Sequence, residues 1–295
     1  MAMEEKKDLI YGLNDRPPLR ETCFAALQHL LSIFVAIITP PLIISSALKY
    51  DVQTTGFLVS MSLFVSGIAT FIQSRRVGPI GTGLLCIQGT SFSFITPIIG
   101  AGMLGMVNGK MDVGLGLSYI FGGCMAASVV EMAVSRLLPY TRKVITPLVA
   151  GIVVTLIGLC LIKAGITSCG GGQTAIDNHT FGSLDNLGLA VLVLVSIIFF
   201  NRSNNRFLRM GSIVLGLLIG CVVAYCLGMI DFSKISADNP LNIPVPFKYG
   251  LHFDLGTIIA LGLIYLVTAV EAFGDITANS LISGEPVEGP VFMKR

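Results

Sequence analysis

Apolar residues in this chain do not alternate with polar ones. They gather in runs near 20 residues long, parted by short linkers that are polar or rich in glycine. A helix of about 20 apolar residues crosses a hydrocarbon core roughly 30 Å thick. The pattern predicts eight spans, at roughly 22–47, 55–74, 78–101, 113–135, 144–166, 184–200, 207–229 and 255–282. The third, VGPIGTGLLCIQGTSFSFITPIIGAG, reads least like a helix. Gly78, Pro79, Gly81, Gly83 and Gly89 interrupt its first half, and Gln88, Thr90, Ser91 and Ser93 put polar atoms at membrane depth. LLCIQ reads as a short extended segment and TSFSFITP as the start of a half-helix, with the break between Cys86 and Ser91. Such backbone is tolerated in a membrane only against protein or a cavity. The N-terminus of a half-helix then offers free N–H groups and a positive dipole end to a ligand.

Composition narrows the class. Hydrophobic residues make up 53% of the 295 positions and charged residues only 12%, against about 25% charged in soluble domains. The fold class is therefore an all-α polytopic membrane protein. The start, MAMEEKKDLIYGLNDRPPLRE, mixes both signs and lacks the apolar core of a secretory signal, so it reads as a cytoplasmic tail. Positive residues set the orientation. With the N-terminus inside, fourteen of the nineteen Lys and Arg residues fall in cytoplasmic segments and five outside. An even number of spans then puts both termini in the cytoplasm.

The seven cysteines form no CxxC pair, and six of them sit in apolar runs. Packing is the natural reading, and no zinc site, disulfide framework or cofactor is expected. The net charge of +2 gives no reason to expect a nucleic-acid partner.

The chemistry concentrates in the eighth span, Leu255–Ile282, which carries Glu271 and Asp275. Four residues apart, they share one helix face. Glu271 falls roughly 4 Å from the middle of the span and Asp275 roughly 10 Å. A charge at that depth costs at least about 2.5 kcal/mol and should face protein or a water-filled cavity. A purely structural pair is the alternative. Gln28 and His29 lie in the first span; His29 reads equally as a satisfied core residue or as a proton-linked one. Pro40 and Pro41 are expected to end or kink that span. Glu131, near the inner end of the fourth span, reads as a snorkelling charge or as one paired at the interface. Asn178-His179-Thr180 spells a glycosylation sequon, a weak signal.

Several stretches together resemble the nucleobase–ascorbate transporter family, and among its members the bacterial xanthine permeases. They are LQHLL, QGTSFSFITP, RKVITPLVAGIVVTLIGLCLIKAGI, the GGG that follows, and EAFGDITANSLISGEPVEGP. DRPPL and the terminal GPVFMKR are similar too. The resemblance implies fourteen segments in two inverted repeats of seven, split between a core and a gate domain, with a short strand in broken segment 3. On that plan residues 1–21 are the tail, 22–140 core segments 1–4, 141–250 gate segments 5–7, and 251–295 core segment 8 with its cytoplasmic end.

The resemblance also implies proton-coupled uptake of a purine nucleobase across the cytoplasmic membrane, xanthine first, with uric acid or uracil as alternatives. Glu271 would hydrogen-bond the base, and Phe92, flanked by Ser91 and Ser93, would lie against it. Asp275, His29 and Gln28 would support the site or its coupling to protons. A homodimer through the gate segments is implied as well. Ser91 stands where one xanthine-permease branch has asparagine, which leaves the purine preference open. The chain ends right after segment 8, so a fragment of a longer product is expected. An anion carrier of the same architecture stays open, though the charge of Glu271 weighs against it, as does a truncated product that does not transport. An intramembrane hydrolase lacks a nucleophile or metal set beside the carboxylates.

Overall fold

A computed structural model describes residues 11–141, 165–205, 208–209, 211–230, 245 and 247–284, with scattered helical positions between 152 and 162. The helices are α1 Leu19–Ala47, α2 Val52–Arg75, α3 Ile95–Met103, α4 Val113–Thr141, α5 Gly172–Asp177, α6 Leu184–Asn201, α7 Ser212–Cys226 and α8 Leu255–Ser283. A 3-10 turn, Phe92–Phe94, leads into α3, and strands β1 Met106–Val107 and β2 Lys110–Met111 pair as an antiparallel hairpin.

Among the described residues, five helices are long and apolar enough to cross a membrane: α1, α2, α4 through Arg136, α6, and α8 through Ile276. Phe92–Met103 and Ser212–Cys226 are shorter apolar helices. The expected span at 144–166 lies mostly outside the described residues. Pro40 and Pro41 sit inside α1, and the helix continues to Ala47, so of the end or kink expected of them the end is not made. The irregularity expected in segment 3 is present: no helix forms between Arg75 and Phe92.

By its contacts the chain divides into two compact units. One comprises Met1–Glu21, Phe64–Ile157 and Phe247–Arg295; the other comprises Thr22–Leu63 and Gly158–Pro246.

In the first unit, α8 packs along α4, and two glycines bring them close. A Cβ on Gly122 would lie 2.0 Å from the His252 carbonyl oxygen, and one on Gly123 would lie 2.5 Å from the Thr257 side chain. Small residues at such seams let helices approach within van der Waals reach, which drives association where lipid removes the hydrophobic incentive. The start of α8 is bound to α4 by polar groups as well. The His252 N–H donates to the Ser118 carbonyl at 3.0 Å, and its Nδ1 lies 2.9 Å from Ser118 Oγ. Asp254 caps α8 by accepting from the Thr257 N–H at 2.7 Å. The hairpin before α4 turns on Asn108 and Gly109, both at positive φ. Asn-Gly is the signature of a type I′ turn.

In the second unit, α7 presents Ser212, Gly216, Gly220 and Ala224 as a buried stripe. A Cβ on Gly216 would meet Ile197, and one on Gly220 would meet Val193, each at 2.4 Å, so α6 lies directly on the stripe. Gly228 at φ 70 ends α7 with paired 2.9–3.0 Å bonds, Met229 N–H to the Ala224 carbonyl and Gly228 N–H to the Tyr225 carbonyl. In the first turn of α6, Asn186 Nδ2 donates to the carbonyls of Gly170 and Thr180, tying the GGG stretch to the loop after α5. Asp51 caps α2, and its hydrogen bonds with Thr54 hold its carboxyl below the usual range. This cap contributes above the ordinary aspartate pKa and is lost as pH falls through the lowered one.

The α4–α8 seam yields a test. Gly122→Ala forces a backbone shift, and overpacking of this kind costs about 1–3 kcal/mol. Thermal unfolding in detergent should show a clear drop for Gly122→Ala and none for Gly188→Ala, whose Cβ would meet nothing within 4 Å. Equal melting temperatures would mean the seam is loose.

Candidate functional site

The site is built from α8 and the irregular stretch that crosses before α3. That stretch leaves α2 through Arg76 and Gly78, both at positive φ, and a tight turn pairing Val77 with Ile80. Gly81 then passes so close to α2 that a Cβ would lie 2.3 Å from the Ile72 carbonyl oxygen. Buried Thr82 receives a bond from Gln73 Nε2 at 2.9 Å, and the Gly83 N–H donates to the Gln73 carbonyl at 2.9 Å.

Beyond this point, side chains stand in for a helix ladder. Thr70 Oγ1 accepts from the Gln88 N–H at 2.9 Å, and the hydroxyls of Ser66 and Thr70 donate to the Gln88 carbonyl. From the other direction, Asn279 Nδ2 on α8 donates to the Leu85 carbonyl at 2.6 Å. Membrane-depth backbone needs such partners, because lipid supplies none.

The half-helix begins with Ser91, extended at φ −97 and ψ 133, whose Oγ accepts from the Ser93 N–H at 3.3 Å. Ser93 Oγ is buried, and among the described residues it has no hydrogen-bond partner. Phe92 is half-buried. The ring that meets α8 is Phe94, edge-on to Tyr265 with centroids 4.8 Å apart.

Glu271 and Asp275 sit on unbroken α8, one turn apart and within electrostatic reach of each other. Glu271 is half-buried and Asp275 exposed. Cys86 of the irregular stretch lies within electrostatic reach of Asp275. The two carboxylates therefore lie along α8 between its contact with Phe94, at Tyr265, and its bond to Leu85, at Asn279.

Gln28 and His29 are on α1, in the second unit; His29 is exposed, and the Gln28 side chain lies outside the described residues. Glu131 is half-buried on α4, within electrostatic reach of Tyr265, and among the described residues no ion pair joins it to Arg136. No group of three His, Cys, Asp or Glu residues gathers as a metal site among the described residues.

Sequence reasoning missed Asn279, Tyr265, Phe94 and the Ser66–Thr70 pair. Asn279 had a signal, since it extends the i, i+4 series of Glu271 and Asp275 and is followed by Ser283 at the next step. Ser66 and Thr70 also share a four-residue spacing, but their partner is 18 to 22 positions away and no local pattern points to it.

Unbroken apolar helices, an irregular stretch before α3 and two carboxylates on an apolar helix mark a polytopic membrane protein. Residues 20–295 match a family described as "Permease family". The chain belongs to that family, the nucleobase–ascorbate transporters, and is a multi-pass membrane protein. It is 46% identical to the xanthine permease XanP of Escherichia coli over all of its own length and 64% of that protein. To the xanthine permease XanQ of Escherichia coli it is 43% identical, over 98% of this chain and 62% of that one. To the uric acid permease PucJ of Bacillus subtilis it is 33% identical, over 89% of this chain and 57% of that one. The chain thus spans somewhat less than two thirds of the length of these relatives.

The clamp on Gln88 is open to test. Thr70→Val keeps the shape but removes the acceptor from a backbone N–H at membrane depth, an orphaning that costs about 1–3 kcal/mol. Thr70→Val should unfold at a lower temperature than wild type, and Ser74→Ala, whose hydroxyl bonds only to its own helix, should not. Identical melting of all three proteins would remove the clamp.

Proposed function

We propose that this chain belongs to a proton-coupled carrier that takes up a purine nucleobase, xanthine first, across the cytoplasmic membrane. The observation that carries the reading is Glu271, half-buried in the middle of an apolar helix, with Asp275 one turn on and a half-helix N-terminus beside them. A purine fits this chemistry. Its N–H groups are donors that a carboxylate accepts, and its flat face suits an aromatic ring. Glu271 accepts from the base, Phe92 covers its face, and Ser91 and Ser93 contribute hydroxyls at the half-helix start. Asp275 couples the site to protons. Similarity to two xanthine permeases and a uric acid permease supports a purine.

We assign residues 22–140 and 251–295 to a core domain and 141–250 to a gate domain, which also offers the surface for a homodimer. Both chain ends face the cytoplasm on this reading, because positive residues favour that side.

Two measurements test the proposal. A reporter active only in the periplasm should stay silent when fused after Arg295, and strong activity there would overturn the orientation. The second uses protein expressed from the complete reading frame. Glu271→Gln replaces an acceptor oxygen with a donor, so purine binding to purified protein should weaken about 5- to 150-fold. Asp275→Asn should leave binding closer to wild type and abolish accumulation driven by a proton gradient. Wild-type binding and uptake in both variants would make the carboxylates structural.

A further inference from the structure

We propose that Asn279 is a positioning residue that ties the carboxylate-bearing helix to the half-helix through the Leu85 carbonyl, and so sets the spacing of the binding site. This rests on the purine-carrier reading above. The bond from Asn279 Nδ2 to the Leu85 carbonyl is 2.6 Å long and joins residues 194 positions apart. The amide is held in the orientation this requires. Ser283 Oγ donates to Asn279 Oδ1 at 3.1 Å, which leaves the NH2 end facing Leu85.

The position gives the bond its consequence. Asn279 is one turn beyond Asp275 and two beyond Glu271, roughly 12 Å along the helix from the latter. On the far side of the carboxylates, Tyr265 meets Phe94 of the 3-10 turn. The stretch from Leu85 to Phe94 is therefore tied to α8 at both ends, with Glu271 and Asp275 between the ties. Its middle hangs from Ser66 and Thr70 of α2 through Gln88. Releasing Leu85 frees the stretch from α8 on the Asp275 side while α8 itself stays intact. Ser91, Phe92 and Ser93 then lose their fixed distance from Glu271.

The test is binding of radiolabelled xanthine to purified protein at about pH 7, with the rate of maleimide labelling of Cys86 read beside it. Asn279→Ala should weaken binding about 5- to 150-fold. Asn279→Leu keeps the volume of the side chain but has no donor for the Leu85 carbonyl and adds no charge beside Asp275, so it should weaken binding as Asn279→Ala does. Both should speed the labelling of Cys86. Asn279→Leu keeps the proposal testable if Asn279→Ala fails to fold.

Binding by Asn279→Ala within about twofold of wild type would overturn the proposal. So would binding by Asn279→Leu within about twofold of wild type. If wild type itself binds no xanthine, the purine reading fails and the tie is judged by maleimide labelling of Cys86, as the only cysteine retained. Faster labelling in Asn279→Ala upholds the tie, and an unchanged rate removes it.

Discussion

Every backbone N–H and C=O inside lipid must find a partner within the protein, and the stretch between Arg75 and Phe92 departs from the helix that would supply one. The rest of the site follows from how that demand is met. Gly81 lets the chain lie against the end of α2, and Thr82 and Gln73 fasten it there. Ser66 and Thr70 then serve both backbone groups of Gln88, and Asn279 serves Leu85. Only with those groups satisfied can a half-helix begin at Phe92, in the middle of an apolar region. The break and its side-chain partners therefore form one device.

Two kinds of construction meet at the site. The α4–α8 seam is closed by glycines whose replacement would drive a side chain into backbone or a neighbour, and this holds α8 as a straight carrier for Glu271 and Asp275. The irregular stretch is held by a few side-chain hydrogen bonds, each worth about 0.5–1.5 kcal/mol net. A helix ladder would have to break many bonds at once to move, whereas this stretch can change position by exchanging three or four. The proposed carrier would use this combination: acidic groups at a fixed depth, opposed by a segment that can be repositioned. The α6–α7 pair in the other unit shows the same small-residue packing along Ser212, Gly216, Gly220 and Ala224.

Much of this was legible in the residues alone. Apolar runs located the helices because hydrophobic length is a local property, and Glu271 and Asp275 were identifiable because charge in an apolar run is conspicuous in any fold. The break in segment 3 was readable from four glycines, a proline and four polar residues, since these act on their own backbone. Asn108-Gly109 was equally local and was passed over. The continuation of α1 through Pro40 and Pro41 ran against local preference.

What only the tertiary structure decided is which groups meet. Thr70 with Gln88, Phe94 with Tyr265, and Asn279 with Leu85 join distant parts of the chain. A hydroxyl or amide in a sequence announces that it needs a partner without naming one. The choice is made when helices pack and one orphaned carbonyl comes within 3 Å of one donor, and that depends on glycines such as Gly122 and Gly123, whose effect is the distance between two helices. Sequence alone thus determined a polytopic helical chain with a broken third segment and an acidic eighth. Packing decided that the break and the acids face each other, because that juxtaposition depends on long-range geometry and not on any local preference.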